Sequence, residues 1–189
     1  LAGSYLDASL GIPIGEALQV NAGIHHSARQ PDFNTLLYLS AYQNYNWDNS
    51  QSFENERVQS LFATLHTQRY GTVEARFTSA DNYTYFASTA NPEQIQEGQE
   101  RHFVRPFQED GRIGYLRLKY QKEFRLGKWA LNNTLMYQQV GQDTEVLNLP
   151  QFVTRNSLYF SSEVFRTAMF IQTGITFKYF TQYYMNAYN

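Results

Sequence analysis

The chain has 189 residues with no cysteine, a formal net charge of −2 and only 17% charged residues, while Tyr, Phe and Trp together make up 16%. Those values exclude a disulfide framework and a thiolate metal site, and they lack the basic stripe of a nucleic-acid binder. Mean hydropathy is −0.52 and no run approaches the roughly 18 apolar residues of a spanning helix, so a helical membrane protein is excluded while a transmembrane β-barrel is not.

In chain order, period-two alternation recurs and no dozen residues carry a helical apolar stripe, so an all-β chain is predicted. Residues 17–26 set Leu18, Val20, Ala22 and Ile24 on one face and Gln19, Asn21 and His25 on the other. Leu61, Ala63 and Leu65 repeat the pattern, as do Val73, Ala75 and Phe77. Residues 113–126 give the sharpest case. Leu116, Leu118, Tyr120, Phe124 and Leu126 oppose Arg117, Lys119, Gln121, Glu123 and Arg125, with Lys122 the exception. Leu131 with Leu135 and Leu158 with Phe160 continue the code, and residues 168–183 set Met169, Ile171, Ile175, Phe177 and Tyr179 against Gln172, Gly174, Thr176, Lys178 and Gln182. About eight strands are expected.

The connections alternate in length. Short turns are expected near residues 11–15, 69–71, 127–128 and 163–167, and long aromatic-rich stretches near 29–55, 88–111 and 141–152. An up-and-down meander with one trimmed and one elaborated end is the arrangement of an outer-membrane barrel. Tyr70, Trp129, Tyr183 and Tyr184 are expected at strand ends, where an interfacial aromatic girdle sits. The fold expected is an antiparallel up-and-down transmembrane β-barrel of about eight strands, one domain or a segment of one over residues 1–189. Alternation alone leaves open a soluble barrel with its apolar face inside. Leu1 is not an initiator methionine and the first residues do not read as a signal peptide, so any export signal is expected to have been removed or to lie outside this chain.

Catalytic chemistry is sought without success. His25 and His26 are adjacent and point to opposite faces of a strand, His66 and His102 are far away in sequence, and no metal or cofactor is expected. Glu97, Glu100, Glu109 and Asp110 read as a solvated acidic loop rather than a carboxylate pair for glycoside chemistry. Asn82-Tyr83-Thr84 and Asn132-Asn133-Thr134 match the N-glycosylation pattern, which has no bearing in a bacterial outer membrane. No enzymatic activity is expected. Lumen-lining candidates are Arg117, Lys119, Gln121, Glu123, Arg125, Gln172 and Lys178. Loop-binding candidates are Tyr38, Tyr42, Tyr45 and Trp47, which lie beside Asn44, Asn46 and Asp48. Rings next to amides and a carboxylate suit sugar or peptide recognition, and they equally suit a strand extension folded over a barrel mouth.

Three segments, residues 81–86, 147–159 and 172–180 running on to 183–186, resemble the putative porin family of Bacteroidota outer membranes. That resemblance implies an outer-membrane β-barrel acting as a diffusion channel, with no catalytic residues to carry over. Members of that family are longer, and the chain ends at Asn189 without the usual terminal aromatic, so it is expected to be part of a larger barrel. Eight strands closed alone would have an interior filled by side chains. The partners expected are outer-membrane lipid and small hydrophilic solutes, with other envelope proteins as further candidates and no nucleic acid. The leading function is a porin-like passive channel. The alternatives are a non-channel scaffold or interaction subunit of an envelope complex, and a soluble ligand-binding barrel.

Overall fold

The computed structural model describes residues 3–42, 45–89 and 103–185. Eight long antiparallel strands form one sheet: β1 Ser4–Ile14, β2 Leu18–Arg29, β5 Glu56–Thr67, β6 Gly71–Asp81, β9 Ile113–Leu126, β10 Trp129–Gly141, β11 Phe152–Val164 and β12 Met169–Phe180. Their order in the sheet is their order in the chain, a pure meander. At 11 to 14 residues, each is long enough for a tilted membrane crossing, which takes about 9–11 residues.

The sheet is open among the described residues, as a segment of a larger barrel would be. Closure requires the two outermost strands to exchange hydrogen bonds. Among the described residues β1 pairs with β2 alone and β12 with β11 alone. Both edge strands are exposed on both faces along their whole length.

The short turns all lie at one end. Residues 15–17 join β1 to β2, so Gly11, expected in this turn, is instead inside β1 opposite Asn21. Gly127, at φ +58°, makes the two-residue turn between β9 and β10, where a side chain would strain the left-handed backbone. The turn after β11 holds Phe165, Arg166 and Thr167 all at positive φ.

The long connections carry structure too small for periodicity to reveal. The first holds one helical turn, α1 Phe33–Leu36, and a two-residue pairing of β3 Leu37–Tyr38 with β4 Trp47–Asp48. The second forms a hairpin of β7 Thr84–Ser88 and β8 Val104–Gln108. The two are tied together by Gln108, whose Oε1 accepts from the Glu54 N–H at 2.8 Å while its Nε2 donates to the Glu54 carbonyl at 2.9 Å and the Asn82 carbonyl at 3.0 Å. The third, residues 142–151, is held by Gln138, which accepts from the Tyr115 hydroxyl and donates to the Pro150 carbonyl, both at 2.7 Å. Strand β12 ends at Phe180, so Tyr183 and Tyr184 lie just beyond it rather than within it.

Candidate functional site

Register places every alternating set on a common side. Ile12, Val20, Leu65, Val73, Tyr120 and Leu135 face one way across six strands, and so do Ala8, Ile24, Leu61, Phe77 and Leu116. The opposite side is polar. Exposure is inverted relative to a soluble sheet: Leu61 is 60% exposed while its sequence neighbour Ser60 is 7% exposed. Leu126 and Ile175 are 83% and 75% exposed, whereas Gln138 on the polar side is 6% exposed. Polar side chains are therefore crowded together by the sheet's inward side, and the apolar ones face outward without a protein partner. A soluble domain buries such a face.

Two charged clusters stand on the polar side. Glu74 on β6 pairs with Arg117 on β9 and lies 3.6 Å from the Arg76 guanidinium, so two arginines directly opposite in register share one carboxylate. Arg76 also lies over the Phe62 ring at 4.9 Å. Phe62 in turn covers Gly23, where a Cβ would come within 2.6 Å of the ring and of the Ala8 carbonyl oxygen. In the second cluster Glu123 pairs with Arg125 and accepts from the Tyr159 hydroxyl at 2.6 Å and from Asn132 at 3.3 Å. All seven lumen-lining candidates, Arg117, Lys119, Gln121, Glu123, Arg125, Gln172 and Lys178, stand on this side. Lys119 faces Glu74 in register, and Lys178 faces Arg155. Sequence reasoning missed Glu74, Arg76, Tyr159 and Arg155. The alternation of Val73, Ala75 and Phe77 already put Glu74 and Arg76 opposite the apolar set, but which strand lay beside them was not legible.

Lys122, the exception in its strand, stands on the apolar side. Its ammonium reaches the turn carbonyls of Gln68 at 3.0 Å and Arg69 at 2.6 Å, so the charge leaves the apolar band while its stem stays there. Nearby the Tyr120 hydroxyl donates to the Tyr70 carbonyl at 2.9 Å, and Tyr70 and Trp129 are exposed at the short-turn end, as an aromatic girdle requires.

The loop candidates are brought together only in part. Tyr38 and Trp47 stack at 5.0 Å, Trp47 meets Phe86 edge-on at 6.2 Å, and the Trp47 indole N–H donates to the Asn34 carbonyl at 3.0 Å. Those rings staple the first long connection to the β7–β8 hairpin. Tyr42 is exposed, Tyr45 is half-buried, and neither joins the described ring contacts. Asn44 lies outside the described residues. Asp48 accepts from the Ser50 hydroxyl at 2.5 Å and the Ser50 N–H at 3.1 Å, which holds its carboxyl below the usual carboxylate value. At the same end Asp81 holds the Arg112 guanidinium above its ordinary value through a 2.8 Å pair.

The remaining candidates have local partners. His25 faces Asp7 at 3.2 Å on the polar side, His26 bonds Ser4 at 3.2 Å on the apolar side, and His66 bonds Thr72 at 2.8 Å. Glu109 and Asp110 lie between β8 and β9, whereas Glu97, Glu100 and His102 lie outside the described residues. Asn82 donates to Glu54 and the Asn55 carbonyl. The described residues hold no group of three or more His, Cys, Asp or Glu arranged for a metal ion.

No curated protein matches the sequence. Among solved structures, the copper transporter OprC superposes with a TM-score of 0.57 at 17% identity, over 82% of this chain and 23% of that one, a likeness of fold to an outer-membrane β-barrel. The chain thus spans less than a quarter of the structure it matches. The family described as "Putative porin" matches residues 1–189 throughout, and with strands of membrane-crossing length that are apolar outside and polar inside, the chain belongs to that family and to the bacterial outer membrane.

Proposed function

We propose that these residues are a wall segment of an outer-membrane channel through which small hydrophilic solutes pass passively along the polar side of the sheet. The inverted exposure of neighbours such as Ser60 and Leu61 carries the reading, because lipid solvates the apolar side and water the other. An apolar medium has no partner for a free strand edge, so β1 and β12 are assigned to pair with further strands of a larger barrel. A larger strand number also opens a lumen that eight strands would fill. No catalytic step is assigned. A soluble ligand-binding barrel would have its apolar set packed inside, the opposite of the exposure observed.

The test uses the full-length protein that carries this segment. It should fractionate with the outer membrane, change mobility on heating in SDS, and give ohmic conductance in planar bilayers. Folded protein that leaves bilayers silent would favour the second reading, a scaffold for an envelope partner. The observation behind that reading is the bracing of the first two long connections by Gln108 and Trp47, which makes a fixed platform at the elaborated end.

A further inference from the structure

On the polar side of β6 and β9–β12, Glu74 and Glu123 are each held by neighbours, while Arg155 and Lys178 have no acid beside them. Glu74 is shared by Arg76 and Arg117, and Glu123 is held by Arg125, Tyr159 and Asn132. The third acid, Glu163, stands at the short-turn end of β11, eight residues from Arg155 and hence about 26 Å along the strand. Arg155 and Lys178 lie directly opposite each other on β11 and β12, flanked in the same register row by Thr134 and Gln121. Among the described residues neither has an acidic partner. Like charges directly opposite on antiparallel strands repel, so the arrangement lacks a counter-charge. Lys119 stands one same-face step along β9 from Gln121, between the row of Arg155 and the row of Arg76 and Arg117.

We propose that the Arg155–Lys178 pair is a binding step for small oxyanions, that Lys119, Arg76 and Arg117, whose three positive charges outnumber the one negative charge of Glu74, continue the path, and that the pore prefers anions. A carboxylate or phosphate oxygen entering this row would meet a guanidinium fork and an ammonium from adjacent strands, with the Thr134 hydroxyl and Gln121 amide as neutral donors beside them. A ring of fixed cations in a confined pore raises the local anion concentration and repels cations. Because the Arg155–Lys178 row retains no internal acid, an entering anion does not compete with a wall carboxylate for these two cations.

This inference rests on the channel reading, and the experiment separates the two. Full-length protein in planar bilayers is placed in a KCl gradient, and the reversal potential gives the chloride-to-potassium permeability ratio. Inorganic phosphate is then added to one side as a competing anion. The wild type should favour chloride and lose chloride current as phosphate is added. Arg155→Gln with Lys178→Gln should lower the permeability ratio about threefold or more and weaken the phosphate effect by a similar factor. The charge-preserving pair Arg155→Lys with Lys178→Arg should keep the ratio, and Lys122→Gln, on the lipid side, should not change it. Should the double variant fail to fold, Lys178→Gln alone, at the exposed edge strand, should give part of the shift. A silent bilayer with folded wild type overturns the channel reading itself. A conducting channel whose ratio and phosphate response survive neutralisation overturns the oxyanion step alone, and so does a double variant that loses only heat resistance, which would mean that an adjoining strand supplies an acid.

Discussion

Tyr159 on β11 donates a 2.6 Å hydrogen bond to Glu123 on β9, reaching across the whole width of β10. Glu123 also holds Arg125 and Asn132, so one carboxylate clamps three consecutive strands on the polar side. Removing the hydroxyl by Tyr159→Phe keeps the ring and deletes the crossing bond. The variant should lose its heat-resistant mobility in SDS at a lower temperature than the wild type. An unchanged transition would mean that the clamp does not hold these strands in register.

Leu118 and Lys119 are sequence neighbours on opposite sides of β9, with Ala75 and Tyr137 flanking Leu118 in register. Leu118→Arg places a cation on the apolar side near the middle of the strand and should cost roughly 2–4 kcal/mol of folding free energy in lipid. Lys119→Gln leaves a hydrated polar group and should cost about 0.5 kcal/mol or less. Denaturant titration of both variants folded into vesicles measures the difference. Equal costs would contradict the assignment of sides.

Gly23 lies under the Phe62 ring and against the Ala8 carbonyl. In an open strand position, alanine in place of glycine stabilises by about 0.5–1 kcal/mol, since it restricts the unfolded chain. Here the added methyl overlaps backbone as well as ring, so Gly23→Ala should instead destabilise by roughly 1–3 kcal/mol. The sign of the change in the same titration decides whether the contact is as close as it stands.

The Ser50 hydroxyl and N–H hold the Asp48 carboxyl below its ordinary value in the folded loop. A depressed folded value means that the stabilisation is complete above the ordinary value of about 3.9 and is lost as pH falls through the lower folded value. Trp47, stacked on Tyr38 next door, reports on this loop. The Trp47 contribution, taken as the difference in emission between the protein and its Trp47→Phe variant, should shift towards that of exposed tryptophan only below about pH 4. Asp48→Asn should flatten this acid transition, and a persisting one would assign it to another carboxylate.

The all-β class, seven of the eight long strands and the division of each of those into two faces were legible in the sequence, whereas β1 and the short strands of the long connections were not. Side chains on a strand alternate strictly, so Leu116 to Leu126 and Arg117 to Arg125 separate whatever the strand packs against. The trimmed and elaborated ends were legible for a similar reason, since turn residues such as Gly127 mark where two long strands meet directly. Tertiary structure alone decided which face is outside, because alternation is the same in a barrel filled with oil and in one filled with water, and only the exposure of Leu61 against Ser60 breaks the symmetry. It also decided the partners. Glu74 and Arg117 are 43 residues apart, and Tyr159 and Glu123 are 36 apart, so their meeting depends on how strands align across long connections. Lys122 looked like a flaw in the pattern until the fold brought the Gln68 and Arg69 carbonyls within reach of its ammonium. The family resemblance led to the expectation of a partial barrel, but only the fold shows that β1 and β12 are its open edges, because strand pairing depends on the whole sheet rather than on any one strand.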